Sequence, residues 1–205
     1  MAKETTKGKC GFCSEEFAGA TMATHIKKCK DSPYSKTSMK GMKDNIFLIK
    51  AYGKGCLSDY WLFLEADSSA TLKNLDSFLR TTWLECCGHL SQFDIGRMNS
   101  NLCDVLSNGI VFSHEYDFGT PTYLKLKVVS SRSGDMKKKV NLISRNSLPE
   151  FKCGCGKTAS DICSQCIWER KELFCEDCIK KHKCGEEMAL PIVNSPRAGM
   201  CGYTG

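Results

Sequence analysis

Between residues 153 and 184 the chain sets eight sulfur or imidazole side chains in four close pairs. These are Cys153 with Cys155, Cys163 with Cys166, Cys175 with Cys178, and His182 with Cys184. No other feature limits the fold so tightly. Four pairs supply eight donors, enough for two tetrahedral zinc ions. The short links between pairs make alternate pairing natural. Pair one then joins pair three (Cys153, Cys155, Cys175, Cys178), and pair two joins pair four (Cys163, Cys166, His182, Cys184).

A third donor set lies near the start. Cys10-x2-Cys13 is followed by Phe17, Met22, His25 and Cys29. A CxxC turn offers two thiolates along one edge of a tetrahedron. His25 and Cys29, four apart, sit one helical turn from each other and supply the opposite edge. Phe17 and Met22 are the apolar pair that packs beneath the metal. So short a unit folds only with its ion, so that binding and folding are one event. The segment resembles a C2HC variant of the classical zinc finger. Its three base-reading positions would fall on Ala18, Thr21 and Thr24, none of which makes bidentate base contacts. A structural or protein-binding finger is therefore expected. Three sites need twelve donors, which ten of these Cys with His25 and His182 supply. His182-x-Cys184 is cramped, which leaves Cys201 as a possible alternative metal ligand in place of Cys184.

The redox address decides whether fifteen Cys mean metal or disulfides. The count is odd, and the first residues carry no apolar signal-peptide core. No apolar run approaches the ~20 residues of a membrane span. A cytoplasmic protein holding three zinc ions is expected, with no membrane partner. The net charge of +6 is uneven. Residues 1–45 hold nine Lys against five acids, 46–124 five basic residues against nine acids, and 125–145 seven basic residues against Asp135 alone. Lys27, Lys28 and Lys30, with Lys137, Lys138 and Lys139, are candidate polyanion contacts, without sequence choice. The bland reading of these lysines is a solvated face.

Between the zinc modules the pattern is that of an α+β domain. Ile46–Ala51 and Tyr60–Ala66 read as paired strands. Asp67, Ser68 or Ser69 can cap a helix carrying Leu72, Leu75, Phe78, Leu79 and Trp83. Further strands follow at Leu90–Ile95, Ile110–Tyr116 and Thr122–Ser130. A mixed or antiparallel sheet with one main helix is predicted, β-grasp-like in arrangement. His89, His114, Asp94, Glu115 and Asp117 are the acid–base candidates, but no Ser elbow, Walker loop, dinucleotide fingerprint or HExxH accompanies them. No catalytic residue is assigned. Asp117 reads as a turn residue near Gly119. Cys56, Cys86, Cys87 and Cys103 lack metal spacing and read as small buried residues.

Asp59-Tyr-Trp-Leu-Phe-Leu-Glu, Cys87-Gly-His-Leu-Ser-Gln-Phe-Asp and Phe112-Ser-His-Glu-Tyr-Asp-Phe-Gly together resemble the plasmid pRiA4b ORF-3-like domain family, over residues 44–135. The resemblance implies a strand pair, a helix and a long last strand, with no assured activity. Where the family often continues with an acid and a Trp, this chain has Thr120-Pro121. Residues 172–182 (Glu-Leu-Phe-Cys-Glu-Asp-Cys-Ile-Lys-Lys-His) resemble cross-braced MYND-type and B-box-type modules, which implies protein contact. The expected layout is a C2HC finger over 1–32, a linker over 33–44 and the α+β domain over 45–135. A basic linker over 136–150 and a two-zinc cross-brace over 151–188 follow. Last comes a Pro/Gly tail over 189–205 that packs back. An adaptor with a protein partner is the expected function, with non-specific nucleic-acid binding as the alternative.

Overall fold

The computed structural model describes residues 6–35, 45–53, 59–167 and 173–205. Cys56 and most of the expected linker lie outside them. The chain opens with a hairpin of β1 (Lys7–Lys9) and β2 (Glu16–Ala18), followed by α1 (Gly19–Lys28). Next come β3 (Ile46–Gly53), β4 (Trp61–Asp67) and α2 (Leu72–Leu79), which runs into a π-turn at Arg80–Leu84. Then β5 (Ser91–Phe93), α3 (Leu102–Val105), β6 (Val111–Tyr116), β7 (Thr122–Arg132) and β8 (Val140–Arg145) complete the central layer. The C-terminal part holds β9 (Asp161–Cys163), β10 (Leu173–Phe174), α4 (Glu176–Ile179) and β11 (Ala189–Pro191).

The α+β class is as expected. The central sheet runs β5-β6-β7-β3-β4-β8, and all its ladders are antiparallel. The mixed, β-grasp-like version of the expectation is thus replaced by an antiparallel one. The reason lies in the one helical crossover. α2 links β4 to β5, which point the same way but sit at non-neighbouring positions, so the crossover creates no parallel ladder. β8 is a second correction. Residues 140–145, expected as part of a basic linker, pair with β4 from Leu62↔Arg145 to Ala66↔Val140. As an edge strand β8 leaves Leu142 exposed, which hides its alternation from a sequence reading.

One face of the sheet packs on α2, where Leu72, Leu75, Leu79 and Trp83 are fully buried with Leu62, Leu64, Tyr116 and Leu126. Each such side chain contributes roughly 1.5–3 kcal/mol by leaving water. The helix is capped later than expected. Thr71 and Asn74 form the capping box, because Ala70 is buried and the Leu72 amide is spent on Ser100. Asp67 serves the turn before it, accepting from the Ser69 amide.

The other face is covered by the finger. Cys10, Met22, Ile26 and Cys29 share a cluster with Leu48, Trp61 and Phe63. This is why β3 and β4 carry near-continuous apolar runs instead of alternating ones. The approach is close. A Cβ on Gly8 or Gly11 would run into backbone of Arg145 or Ile143, and one on Gly19 would stand 2.5 Å from the Trp61 ring. Gly19→Ala should therefore cost about 1–3 kcal/mol as an overpacking defect, read as a lower urea midpoint at unchanged slope. Thr24→Ala, on an exposed position of the same helix, is the control and should not destabilise.

Candidate metal centres

In the finger, the Cys10 carbonyl accepts from the Ser14 amide, and Ser14 takes the left-handed conformation (φ 65°) that turns the chain back. That knuckle aims Cys10 and Cys13 at α1. The donor atoms of Cys10, Cys13, His25 and Cys29 all lie within 4.8 Å of one another, with Cys13 Sγ 3.3 Å from His25 Nε2. Phe17 stacks on the His25 ring at 3.7 Å, and Met22 is fully buried beneath.

The C-terminal module interleaves two groups of the same kind. Cys153, Cys155, Cys175 and Cys178 stand together, and so do Cys163, Cys166, His182 and Cys184. Gly156, with φ 90°, closes the first turn by donating to the Cys153 carbonyl. The small sheet β10-β9-β11 brings alternate pairs side by side. Phe151, Leu173 and Ile192 pack on the first group, and Ile179, Phe174 and Met188 on the second.

The donor geometry fits zinc. Bonds of about 2.3 Å to sulfur and 2.0–2.1 Å to nitrogen, in a tetrahedron, place sulfurs about 3.8 Å apart and sulfur about 3.5 Å from nitrogen. The observed separations are 3.6 Å for Cys155–Cys175, 3.7 Å for Cys166–Cys184 and 3.3 Å for Cys166–His182. No described cysteine forms a disulfide. The electrostatics point the same way. Amides of Cys155 and Cys175 aimed at Cys153 bring its thiol down to about 6, so its thiolate is favoured. Hydrogen bonds with neighbouring sulfurs, that with Cys175 first, push Cys178 up to about 12. Burial, followed by Cys184 and Cys163, pushes Cys166 to about 12. Crowded thiolates repel one another until a cation sits among them.

The remaining sequence candidates are placed differently. Cys184 stands with His182, whereas Cys201 is 3.5 Å from Cys87, so it does not substitute for Cys184. Cys87 and Cys103 are exposed and Cys86 is half-buried, which corrects their reading as buried residues. Cys86, Cys87, His89 and Cys201 form a fourth donor group, where ligand spacing in the sequence predicts three. The Cys-Cys-x-His spacing is the one available signal, and its fourth member lies 112 positions beyond His89.

The acid–base candidates are each engaged locally. His114 is fully buried, with Nε2 2.7 Å from Asp76 Oδ1. Asp94 accepts from the Ser113 amide and Glu115 from Gln92. Asp117, with φ 66°, accepts from the Gly119 amide as a turn residue does. It also takes a hydrogen bond from Arg197 Nη2 at 2.5 Å, a buried pair that sequence reading does not find. Burial works to raise the Asp117 carboxyl, but Arg197 and the Thr120 and Gly119 amides outweigh it and hold it below the usual carboxylate range. Lys27, Lys28, Lys30, Lys137, Lys138 and Lys139 are exposed, and Lys139 donates to Ser69.

No family model and no curated protein matches this chain. Among solved structures it is similar to the crystal structure of a protein of unknown function, MM3350 from Methanosarcina mazei Go1. That likeness has a TM-score of 0.42 at 15% identity and covers 50% of this chain and 68% of that one. Among the described residues, no helix is long and apolar enough to cross a membrane.

Proposed function

We propose that this chain is a zinc-binding, non-enzymatic adaptor of the plasmid pRiA4b ORF-3-like family, contacting a protein partner through its finger and cross-brace. One observation carries the reading. Each of the three groups found from spacing closes with four protein donors, which leaves an ion no open position for substrate or water. Such metals hold surfaces in place. The finger spends its apolar face on the sheet and presents Thr21, Thr24, Lys27 and Lys28 outward. The cross-brace presents a charged face of Glu176, Asp177, Lys180 and Lys181, beside the donors Cys175, Cys178 and His182 in the chain. The family assignment is supported by Tyr116-Asp-Phe-Gly119, which forms the end of β6 and its turn into β7.

The test is a pull-down from the native cell, with and without nuclease. It is repeated with a variant carrying Glu176→Lys and Asp177→Lys but every donor intact. A protein partner that survives nuclease and is lost with the charge-reversed variant is the expected result. Loss of every partner on nuclease treatment would replace this reading with nucleic-acid binding through the exposed lysines. Affinity for duplex or RNA would then fall steeply with salt.

A further inference from the structure

The fourth donor group is built from two parts of the chain that meet only in the fold. Cys86, Cys87 and His89 leave the π-turn that ends the α2 segment, and Cys201 arrives from the tail. Their four donor atoms lie within 4.8 Å of one another. Cys86 and Cys87 sulfurs are 3.8 Å apart, Cys87 and Cys201 sulfurs 3.5 Å, and His89 Nε2 stands 3.0 and 3.3 Å from Cys87 and Cys201. Three of these edges lie within about 0.3 Å of those of a zinc tetrahedron, and the His89–Cys87 edge, at 3.0 Å, is about 0.5 Å short.

The surroundings are also those of a metal ligand set. His89 points Nε2 into the group and keeps Nδ1 3.5 Å from Asp117 Oδ1, and Asp117 is itself held by Arg197. A carboxylate behind a ligating imidazole fixes its tautomer and ring orientation. Arg197 Nη2 donates to the Cys86 sulfur at 3.7 Å, and Tyr116 Oη lies at the same distance from it. The chain turns into the group through Gly88 (φ 83°) and through Cys201 itself (φ 49°), a conformation uncommon for a residue with a side chain. Chance packing of a tail would bury a cysteine against carbon. Here two exposed thiols, Cys87 and Cys201, face an imidazole instead.

We propose that Cys86, Cys87, His89 and Cys201 hold a fourth zinc ion, which fastens the tail to the central domain at the end of the α2 segment. Three thiols lose their protons to solvent on binding, and neutral His89 supplies the fourth bond. The ion sits at the surface, within reach of chelators. It does not depend on the adaptor reading, since neither its ligands nor its test involves a partner.

The test uses the full chain purified without chelators. Zinc per chain is measured by elemental analysis for the wild type, Cys201→Ser and Cys87→Ser. Each variant should hold one equivalent less than the wild type, and an unchanged zinc content in both overturns the proposal. Alkylation by iodoacetamide, mapped by mass spectrometry on the wild type, guards against misfolded variants. Cys87 and Cys201 should stay unmodified until a chelator is added, while Cys103, exposed and outside all four groups, reacts at once. Labelling of Cys87 and Cys201 at the rate of Cys103 in the zinc-loaded protein overturns it too. Failure of the other three sites would read differently: it lowers the total zinc but leaves the difference between wild type and variant in place.

Discussion

With the finger's donor group holding zinc as proposed, chelation is expected to unfold the finger and lay bare one face of the central sheet. The finger is far below the size at which a chain holds its own core, so its ion supplies its folding free energy. That term is about 10–16 kcal/mol in zinc-finger peptides, as large as the whole stability of a typical domain. With the finger gone, Leu48, Trp61 and Phe63 lose the cover of Met22 and Ile26. Trp61 is the natural reporter. It is 2% exposed, and its indole N–H donates to Thr6 Oγ1 at 3.0 Å within the segment that would unravel. Trp83 lies in the opposite core and should stay dry. Chelation should shift tryptophan emission to the red, with aggregation following at micromolar concentration, and Trp61→Phe should reduce the shift. An apo protein with unchanged emission and unchanged far-ultraviolet dichroism would refute a folding role for the finger's metal. Cys10→Ser should behave as the chelated protein does at this face, while the cross-brace keeps its ions.

Truncating Arg197 is the second change with a large expected effect. Its guanidinium is fully buried, and it donates to Asp117 at 2.5 Å, to the Thr120 carbonyl at 2.5 Å and to Thr122 Oγ1 at 3.1 Å. Arg197→Ala leaves Asp117 as a buried carboxylate without its counter-charge and strands a backbone carbonyl. Breaking a buried pair from one side costs about 3–5 kcal/mol. The loss should appear as a lower urea midpoint. It should come with earlier proteolysis beyond Asn194, where the hydrogen bond from Ser195 to the Trp83 carbonyl and the group of Cys201 with Cys87 and His89 would be the ties left. The double change Arg197→Met with Asp117→Asn should recover a large part of the loss, since neither residue then carries a buried charge. A single variant within about 1 kcal/mol of the wild type would mean that the pair contributes little to holding the tail.

The finger and the Arg197–Asp117 pair stand differently toward the sequence. Successive donors of the finger lie three to twelve positions apart, so local turn and helix geometry alone brings them near one another. Its docking on the sheet is half visible. Phe47-Leu-Ile49 and Trp61-Leu-Phe-Leu64 leave no polar face, which already calls for cover on both sides. Nothing in the spacing names the finger as that cover. The Arg197–Asp117 pair, eighty residues apart, gives no signal, since an arginine in a Pro/Gly tail reads as solvated. β8 escapes a sequence reading for a related reason. An edge strand with one exposed face and three lysines beside it has the composition of a linker.

By itself the sequence determined the three local donor sets, their interleaved pairing and the helix that carries Leu72, Leu75 and Leu79. Ligand spacing and apolar periodicity are short-range quantities, set by the geometry of a turn or a helix. Only the tertiary structure decided the antiparallel order of the sheet, the finger's burial against it and the meeting of Cys86, Cys87 and His89 with Cys201. Those contacts close loops of tens to more than a hundred residues. Which distant segments come together depends on how all the apolar faces are covered at once, and no local pattern encodes that.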